Sequence, residues 1–371
     1  MVRHYRKALR RLIAAATAAG TLVSLSACQS PSSRPSPMAS PTTDSGPILV
    51  ASSLKQWGAL AQTIGGSDVS VTSVFDGASS QARNFEPSTH DVDALRKATV
   101  VVSNGAGYDP WAAANLSKGA QSVSAAEAVG ALDGDNPYLW FSKDARGSVA
   151  SELTEVFSKL RPAKKRQFTA RLGAWRADEA ALATRMKKAA AKRTGSTYAS
   201  DGTVGYYLMS DMGFKDLTPR GYAQATLAGG SSGSADLEDF QHLLQHHQVT
   251  LFVTSADAAA GTDPAATDGA GSEQGDTHTD AADQSHSGDD ASKTLLTAAS
   301  QGGVPVFRLS AAMPPRFTDL TAWMSDIVSG IGTTLPTDKA AGDQGNDGRQ
   351  GDPSPSPTEA TPHSTATSRT P

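Results

Sequence analysis

The sequence predicts an α/β protein of two lobes, each a parallel-type sheet with flanking helices, joined by one long rigid helix with a cleft between the lobes. Three observations carry this. Short apolar runs alternate with amphipathic stretches through residues 47–160, the same alternation resumes through 195–332, and one helical stretch of unusual length at 161–194 separates them.

In the first lobe Ile48, Leu49, Val50 and Ala51 form a continuous apolar run, the mark of a strand buried on both faces. Residues 54–64 read as a helix that stops at Gly65 and Gly66. Residues 69–75 alternate as a second strand, 90–98 are helical, and 99–102 (Thr-Val-Val-Val) give a third strand. Between Pro162 and Arg193, the residues Phe168, Leu172, Trp175, Leu182 and Met186 recur at helical spacing, with Lys and Arg on the other faces. Pro162 suits a first turn and Gly195 an end. In the second lobe 204–209 is apolar, 237–247 helical, 249–253 a buried strand, 295–300 helical and 304–309 a last strand.

The two ends have a different composition. Arg3, Arg6, Lys7, Arg10 and Arg11 precede an apolar run from Leu12 to Val23, the pattern of an export signal over 1–27. That run is too short and Ala-rich for a permanent membrane span. It closes on Leu25-Ser26-Ala27-Cys28, which resembles a bacterial lipobox and implies diacylation of the Cys28 thiol, with anchoring at the extracellular face of the bacterial cell membrane. Residues 28–46 then read as a disordered tether and 333–371 as a disordered tail, both rich in Ser, Pro and Thr. Residues 257–292 carry nine carboxylates and two histidines, His278 and His286, before Lys293 supplies a cation, and read as a solvated acidic insertion.

Composition also excludes functions. With 33 Lys and Arg against 37 Asp and Glu, and no basic stripe, nucleic acid is not a partner. A single cysteine leaves no intramolecular disulfide and no cysteine-based metal knot. Gly229-Gly230-Ser231-Ser232-Gly233 fits the Gly-x-Ser-x-Gly hydrolase pattern but sits in a Gly/Ser-rich loop, ahead of a helix capped by Ser234 or Asp236, and no His/Asp order follows. The chain does not read as an enzyme.

The order of these segments, together with four local motifs, is similar to the zinc/manganese solute-binding proteins of ABC importers (cluster A-I). The motifs are the opening strand 48–52, the helix end Ile64-Gly65-Gly66, Asn84-Phe85-Glu86-Pro87-Ser88, and Ser103-Asn104-Gly105-Ala106-Gly107-Tyr108-Asp109-Pro110-Trp111. The last is close to the family's Asn-Gly-Ala-Gly-x-Glu-Pro-Trp, and the resemblance runs from Pro47 to Ile331 apart from the acidic insertion. It implies a monomeric receptor delivering zinc or manganese to a permease and its ATPase. No resident cofactor is implied.

The four metal-ligand positions implied by the same resemblance carry different residues. Arg83 stands where a histidine precedes the aromatic-Glu-Pro stretch, and Tyr138 where a histidine opens the segment keeping Trp140. Aligning on Gly205-Tyr206 puts Asp201 at the third position, and Ser310 replaces the aspartate closing the last strand. Zinc takes about four N, S or carboxylate ligands. A guanidinium offers donors only, so these residues do not make a conventional site. Arg83, Tyr138, Asp201 and Ser310 suit a small anion or zwitterion instead, since a planar fork matches an oxyanion; an Arg83–Asp201 pair closing the cleft, in a fold-retaining accessory or interaction lipoprotein, is the other reading. His242 and His246, at i and i+4 beside His247, could hold a metal weakly or cap a helix end. His278 and His286 could collect divalent cations loosely. Replacing Cys28 by Ser is expected to leave the chain unlipidated and move it from the membrane fraction to unprocessed or shed forms; unchanged detergent partitioning of the variant would refute the anchor.

Overall fold

In the computed structural model the described residues are 46–76, 79–191, 195–256 and 280–335. The signal, Cys28, nearly all of the tether, most of the acidic insertion with His278, and the tail from 336 lie outside them, while residues 333 and 334, read as the start of the disordered tail, are the last turn of a helix.

The first lobe runs β1 (Ile48–Leu54), α1 (Lys55–Gly65), β2 (Val69–Phe75), α2 (Thr89–Lys97), β3 (Val100–Ser103), α3 (Pro110–Ala114), β4 (Gln121–Ser124) and α4 (Ala125–Val129). Its sheet has the order β2-β1-β3-β4 with every pairing parallel. The central strands are almost wholly buried, which is why they read as apolar runs rather than alternations. Helix α2 starts on a capping box, Ser88 and Asp91 each satisfying the other's backbone N–H.

Helices α5 (Lys143–Leu160) and α6 (Lys165–Ala190) follow, linked by one 3₁₀ turn at Pro162–Lys164. At 26 residues, α6 is ~39 Å long at 1.5 Å per residue. Phe168, Leu172, Trp175, Leu182 and Met186 are all buried along it, as their spacing predicts. The second lobe runs β5 (Thr197–Ser200), α7 (Tyr206–Met212), β6 (Lys215–Asp216), α8 (Arg220–Leu227), α9 (Ser234–Gln245), β7 (Leu251–Ser255), α10 (Asp280–Gln301), β8 (Val306–Leu309) and α11 (Leu320–Thr334). Its sheet, β6-β5-β7-β8, is again all parallel. The predicted fold class is the observed one.

Three local readings change. The apolar stretch 204–209 leads into helix α7, which begins at Tyr206, and the strand of that region is β5, just before it. Helix α9 is capped by the Gly233 backbone without a side-chain bond, and Asp236 lies against Gly221 of α8. The end of the acidic segment, 280–292, belongs to α10: Leu295, Ala298 and Ala299 bury one face of that helix, and the Ala- and Asp-rich run before them continues its turns.

One hydrophobic cluster runs through both lobes, α5, α6 and α11, and a smaller one fills the outer side of the second sheet. Through the shared core passes a buried charge. Arg146 of α5 is fully buried; its Nε and Nη2 donate to Glu179 of α6 (Nη2 to Oε2 2.8 Å), its Nη1 donates to the Trp140 carbonyl at 3.0 Å, and Thr321 of α11 donates to Glu179 Oε1 at 2.9 Å. Removing one member of such a pair strands a buried charge, and typically costs ~3–5 kcal/mol, whereas replacing both by apolar residues is far milder. Arg146→Ala should therefore lower the urea midpoint sharply, and Arg146→Met with Glu179→Leu should recover most of the loss. Equal damage from the single and double variants would contradict this account.

Candidate functional site at the lobe junction

The junction is organised by the loop after β3. Gly105, Ala106 and Gly107 have φ of 74°, 52° and 67°, a left-handed run that glycine adopts freely and alanine does not. Asp109 holds it: Oδ2 accepts from Asn104 N at 2.7 Å and Oδ1 from Gly105 N at 2.8 Å. Burial pushes the Asp109 carboxyl above the ordinary range, and its hydrogen bonds from Ser53 and the backbone work against that shift. Asn104 in turn accepts from Trp57 Nε1 at 3.1 Å and donates to the Pro137 carbonyl at 2.8 Å, while Trp111 Nε1 donates to the Ala82 carbonyl at 2.8 Å. The motif thus fixes the backbone beside Arg83 and beside Tyr138. It is a scaffold for two of the four expected positions.

At those positions the side chains have other partners. Arg83 is exposed, and its guanidinium flanks Gly107 together with the Asp133 carboxyl. Tyr138 packs edge-on against Tyr108 and Trp140, ring centroids 6.0 and 5.5 Å away. Ser310 folds back at the end of β8, donating to the Ala312 carbonyl and accepting from its N–H, both at 3.2 Å. Asp201 directly follows β5 and is buried; Thr254 of β7 donates to Oδ2 at 2.6 Å, and Tyr222 donates to its carbonyl at 3.4 Å. Its Oδ1 is buried without a hydrogen-bond partner of ordinary geometry, although Ser292 of α10 faces the same carboxyl. Among the described residues no ion pair joins Arg83 to Asp201, so closure by that pair is not how the lobes meet.

They meet through backbone carbonyls. Lys55 Nζ donates to Pro314 O at 3.1 Å and Gln56 Nε2 to Ala311 O at 2.8 Å. The cavity left there, lined by Lys55, Gln56, Phe75, Asp76, Tyr108 and Met313 among others, is about 10 Å³, room for one water at most. The His242 and His246 rings lie 4.1 Å apart, tilted by 50°, at the C-terminal end of α9, and His247 Nδ1 meets the Gly302 carbonyl at 2.9 Å. Among the described residues no three His, Cys, Asp or Glu side chains gather into a metal-sized group. The side chain of His286 lies outside them. Sequence reasoning missed Asp109, Thr254 and Trp57 as organisers of the site; the first stood inside a quoted motif, while the others carried no local signal.

Two parallel-sheet lobes on a single long helix, with a junction between sheet ends, define the architecture of a solute-binding protein. The family described as ZnuA, zinc-uptake complex component A, periplasmic, matches residues 50–300, and the chain belongs to that family. It is therefore a binding component of a metal-uptake system and not an enzyme. Among solved structures, the laminin-binding adhesin Lmb of Streptococcus agalactiae (mutant structure) is 18% identical, with 78% of this chain and 100% of that one covered and a TM-score of 0.58. The periplasmic zinc-binding protein TroA of Treponema pallidum is 15% identical over 78% and 99% of the two chains, TM-score 0.58. A manganese-bound mutant of a periplasmic metal-binding protein from Candidatus Liberibacter asiaticus is 15% identical over 77% and 98%, TM-score 0.55. No curated protein matches significantly.

Burial raises the Asp201 carboxyl, with Thr254 and Ser292 opposing that shift. A folded-state pKa above the unfolded one means the native state holds its proton more tightly, so folding is favoured below the unfolded pKa and the advantage is lost as pH rises through the folded one. Asp201→Asn, whose amide oxygen can still accept from Thr254, should melt higher than the native chain at pH 7, and the two should converge at about pH 3, below the ordinary carboxylate range. A variant less stable than the native chain at neutral pH would show that the ionised carboxylate has a partner.

Proposed function

We propose that this chain is the lipid-anchored receptor of a metal-type ABC importer, working with a permease and its ATPase at the extracellular face, and that its lobe junction does not hold zinc or manganese through the family's ligand set. One observation carries the second half: each matching position has another occupation. Arg83 brings a fixed positive charge, Tyr138 is part of an aromatic cluster, Ser310 closes a turn, and Asp201 is held by Thr254. A divalent cation at Asp201 alone would meet one carboxylate whose burial favours the proton, far short of about four ligands.

Family membership and the lipobox resemblance support the first half. Attachment is assigned to Cys28 on the lipobox resemblance of residues 25–28. A second reading, an accessory or interaction lipoprotein that keeps the fold without metal transport, draws on the same closed junction. Arg83, exposed beside the 104–111 loop, supports recognition of an anionic or zwitterionic group at the rim. The acidic insertion and its histidines are assigned loose cation binding only.

Zinc titration of the mature chain, with the native protein and Asp201→Ala compared under identical chelator competition, tests the proposal. The expected result is weak, multi-site uptake indifferent to Asp201. Submicromolar one-to-one binding that disappears in Asp201→Ala would overturn it.

A further inference from the structure

We propose that a cavity beside the lobe junction, walled by Tyr198, Tyr206 and Tyr207 and rimmed by Asp135 and Asp216, binds a small organic ammonium cation. Its volume is about 380 Å³, within the roughly 300–1,000 Å³ of ordinary ligand pockets. It opens at the carboxyl ends of β5 and β6, where open parallel sheets present ligand sites. The proposal is independent of whether metal binds at the four family positions.

The lining selects the ligand. Two carboxylates and three phenols face the space, and no Lys, Arg or His among the described residues does. Anions are repelled. A divalent metal would find at most two carboxylates, and burial and then the Asp216 charge push the Tyr198 phenol up while burial and Asp135 push Tyr207 up, so these two stay protonated. Ring faces beside carboxylates instead suit a cation with an apolar body, which gains both Coulomb attraction and the ring quadrupole. Leu227 and Ala223 of α8 supply the apolar wall such a body needs.

The walls are fixed before any ligand arrives. Tyr198 donates to Asp216 Oδ2 at 2.9 Å, and Asp216 Oδ1 accepts from Thr218 N at 2.8 Å. Tyr207 donates to the Asn136 carbonyl at 3.1 Å, and Asn136 Nδ2 donates to the Thr203 carbonyl at 2.7 Å, so the first lobe supplies one wall and the second the other. Tyr206 stands edge-on to Tyr207, centroids 5.3 Å apart, yet remains 48% exposed at the mouth. A large aromatic left in water contributes little to folding, and this one lines the same cavity as Asp135 and Asp216.

Calorimetric titration of the mature chain with choline and with benzyltrimethylammonium tests this, alongside the neutral isostere of choline in which tert-butyl replaces trimethylammonium. Saturable one-to-one binding of a cation is expected, with the isostere weaker by about fivefold or more, the range that a cation–π contact and its counter-charge supply. Tyr206→Ala and Asp135→Asn, both exposed positions whose variants should melt as the native chain does, should each weaken binding by about fivefold. No heat from either cation at millimolar concentration, equal affinity for the isostere, or binding indifferent to Tyr206→Ala would each overturn the proposal.

Discussion

Arg146 has no exposed surface, and the arrangement of the two lobes depends on where its charge goes. Its donors reach Glu179 on the linking helix and the carbonyl of Trp140, and Glu179 is also held by Thr321 of the last helix. One buried pair therefore ties α5, α6 and α11 together at the level of the lobe junction. The shared hydrophobic cluster would hold these helices by itself, but apolar contacts are non-directional. A bidentate ion pair with a third and fourth partner fixes register and rotation. Phe141 and Trp323, ring centroids 5.6 Å apart, extend the same contact from the first lobe to α11. The carbonyls of Ala311 and Pro314 are then presented to Gln56 and Lys55. The chain that leaves the second sheet is in this way bound to the first lobe before it ends.

That constraint separates the scaffold from the ligand chemistry. The loop 104–111, Asp109, Trp57 and the Arg146 pair are satisfied within the protein, and none of them needs a bound ion. Positions such as Arg83 and Ser310 lie at the edges of this frame, so exchanging them changes what the junction can attract without removing anything the fold rests on. The retained Asn-Gly-Ala-Gly motif is thus informative about backbone geometry and silent about the ligand. A family resemblance based on it establishes architecture more firmly than cargo.

Much of the fold is legible because parallel strands buried on both faces must be apolar runs, and β1, β3 and β7 are. Where burial rests on few letters the pattern fails. Strand β5, Thr-Tyr-Ala-Ser, and β4, Gln-Ser-Val-Ser, are short and polar, and neither reads as a strand. Helix α5 hides its buried stripe among charges, one of which, Arg146, is itself core. Pairing between residues 146 and 179 leaves no local trace, since it depends on α5 and α6 packing side by side. The four positions expected to match the family's ligands can be proposed from motifs, because each stands at an offset from a recognisable residue. The tyrosine-lined cavity cannot: Asp135, Tyr206 and Asp216 belong to three segments that converge only in the folded chain.

Tyr138 and Ser310 are also not passive at the junction. A histidine at position 138 would place a polar ring beside Tyr108 and Trp140; tyrosine at this position extends an edge-to-face cluster whose members contribute about 0.5–1.5 kcal/mol per pair beyond their burial. An aspartate at position 310 would add a charge where Ser310 instead completes a turn with both of its hydrogen-bonding functions on Ala312. Tyr138 and Ser310 are thus both satisfied by their neighbours. The space beside Tyr108 and Met313, next to the hydrogen bonds from Lys55 and Gln56, is about 10 Å³. A larger void there would forfeit contact energy on all its walls. The neighbouring cavity is open, and two of its tyrosines, Tyr198 and Tyr207, are held by Asp216 and the Asn136 carbonyl, so its walls stand without being filled.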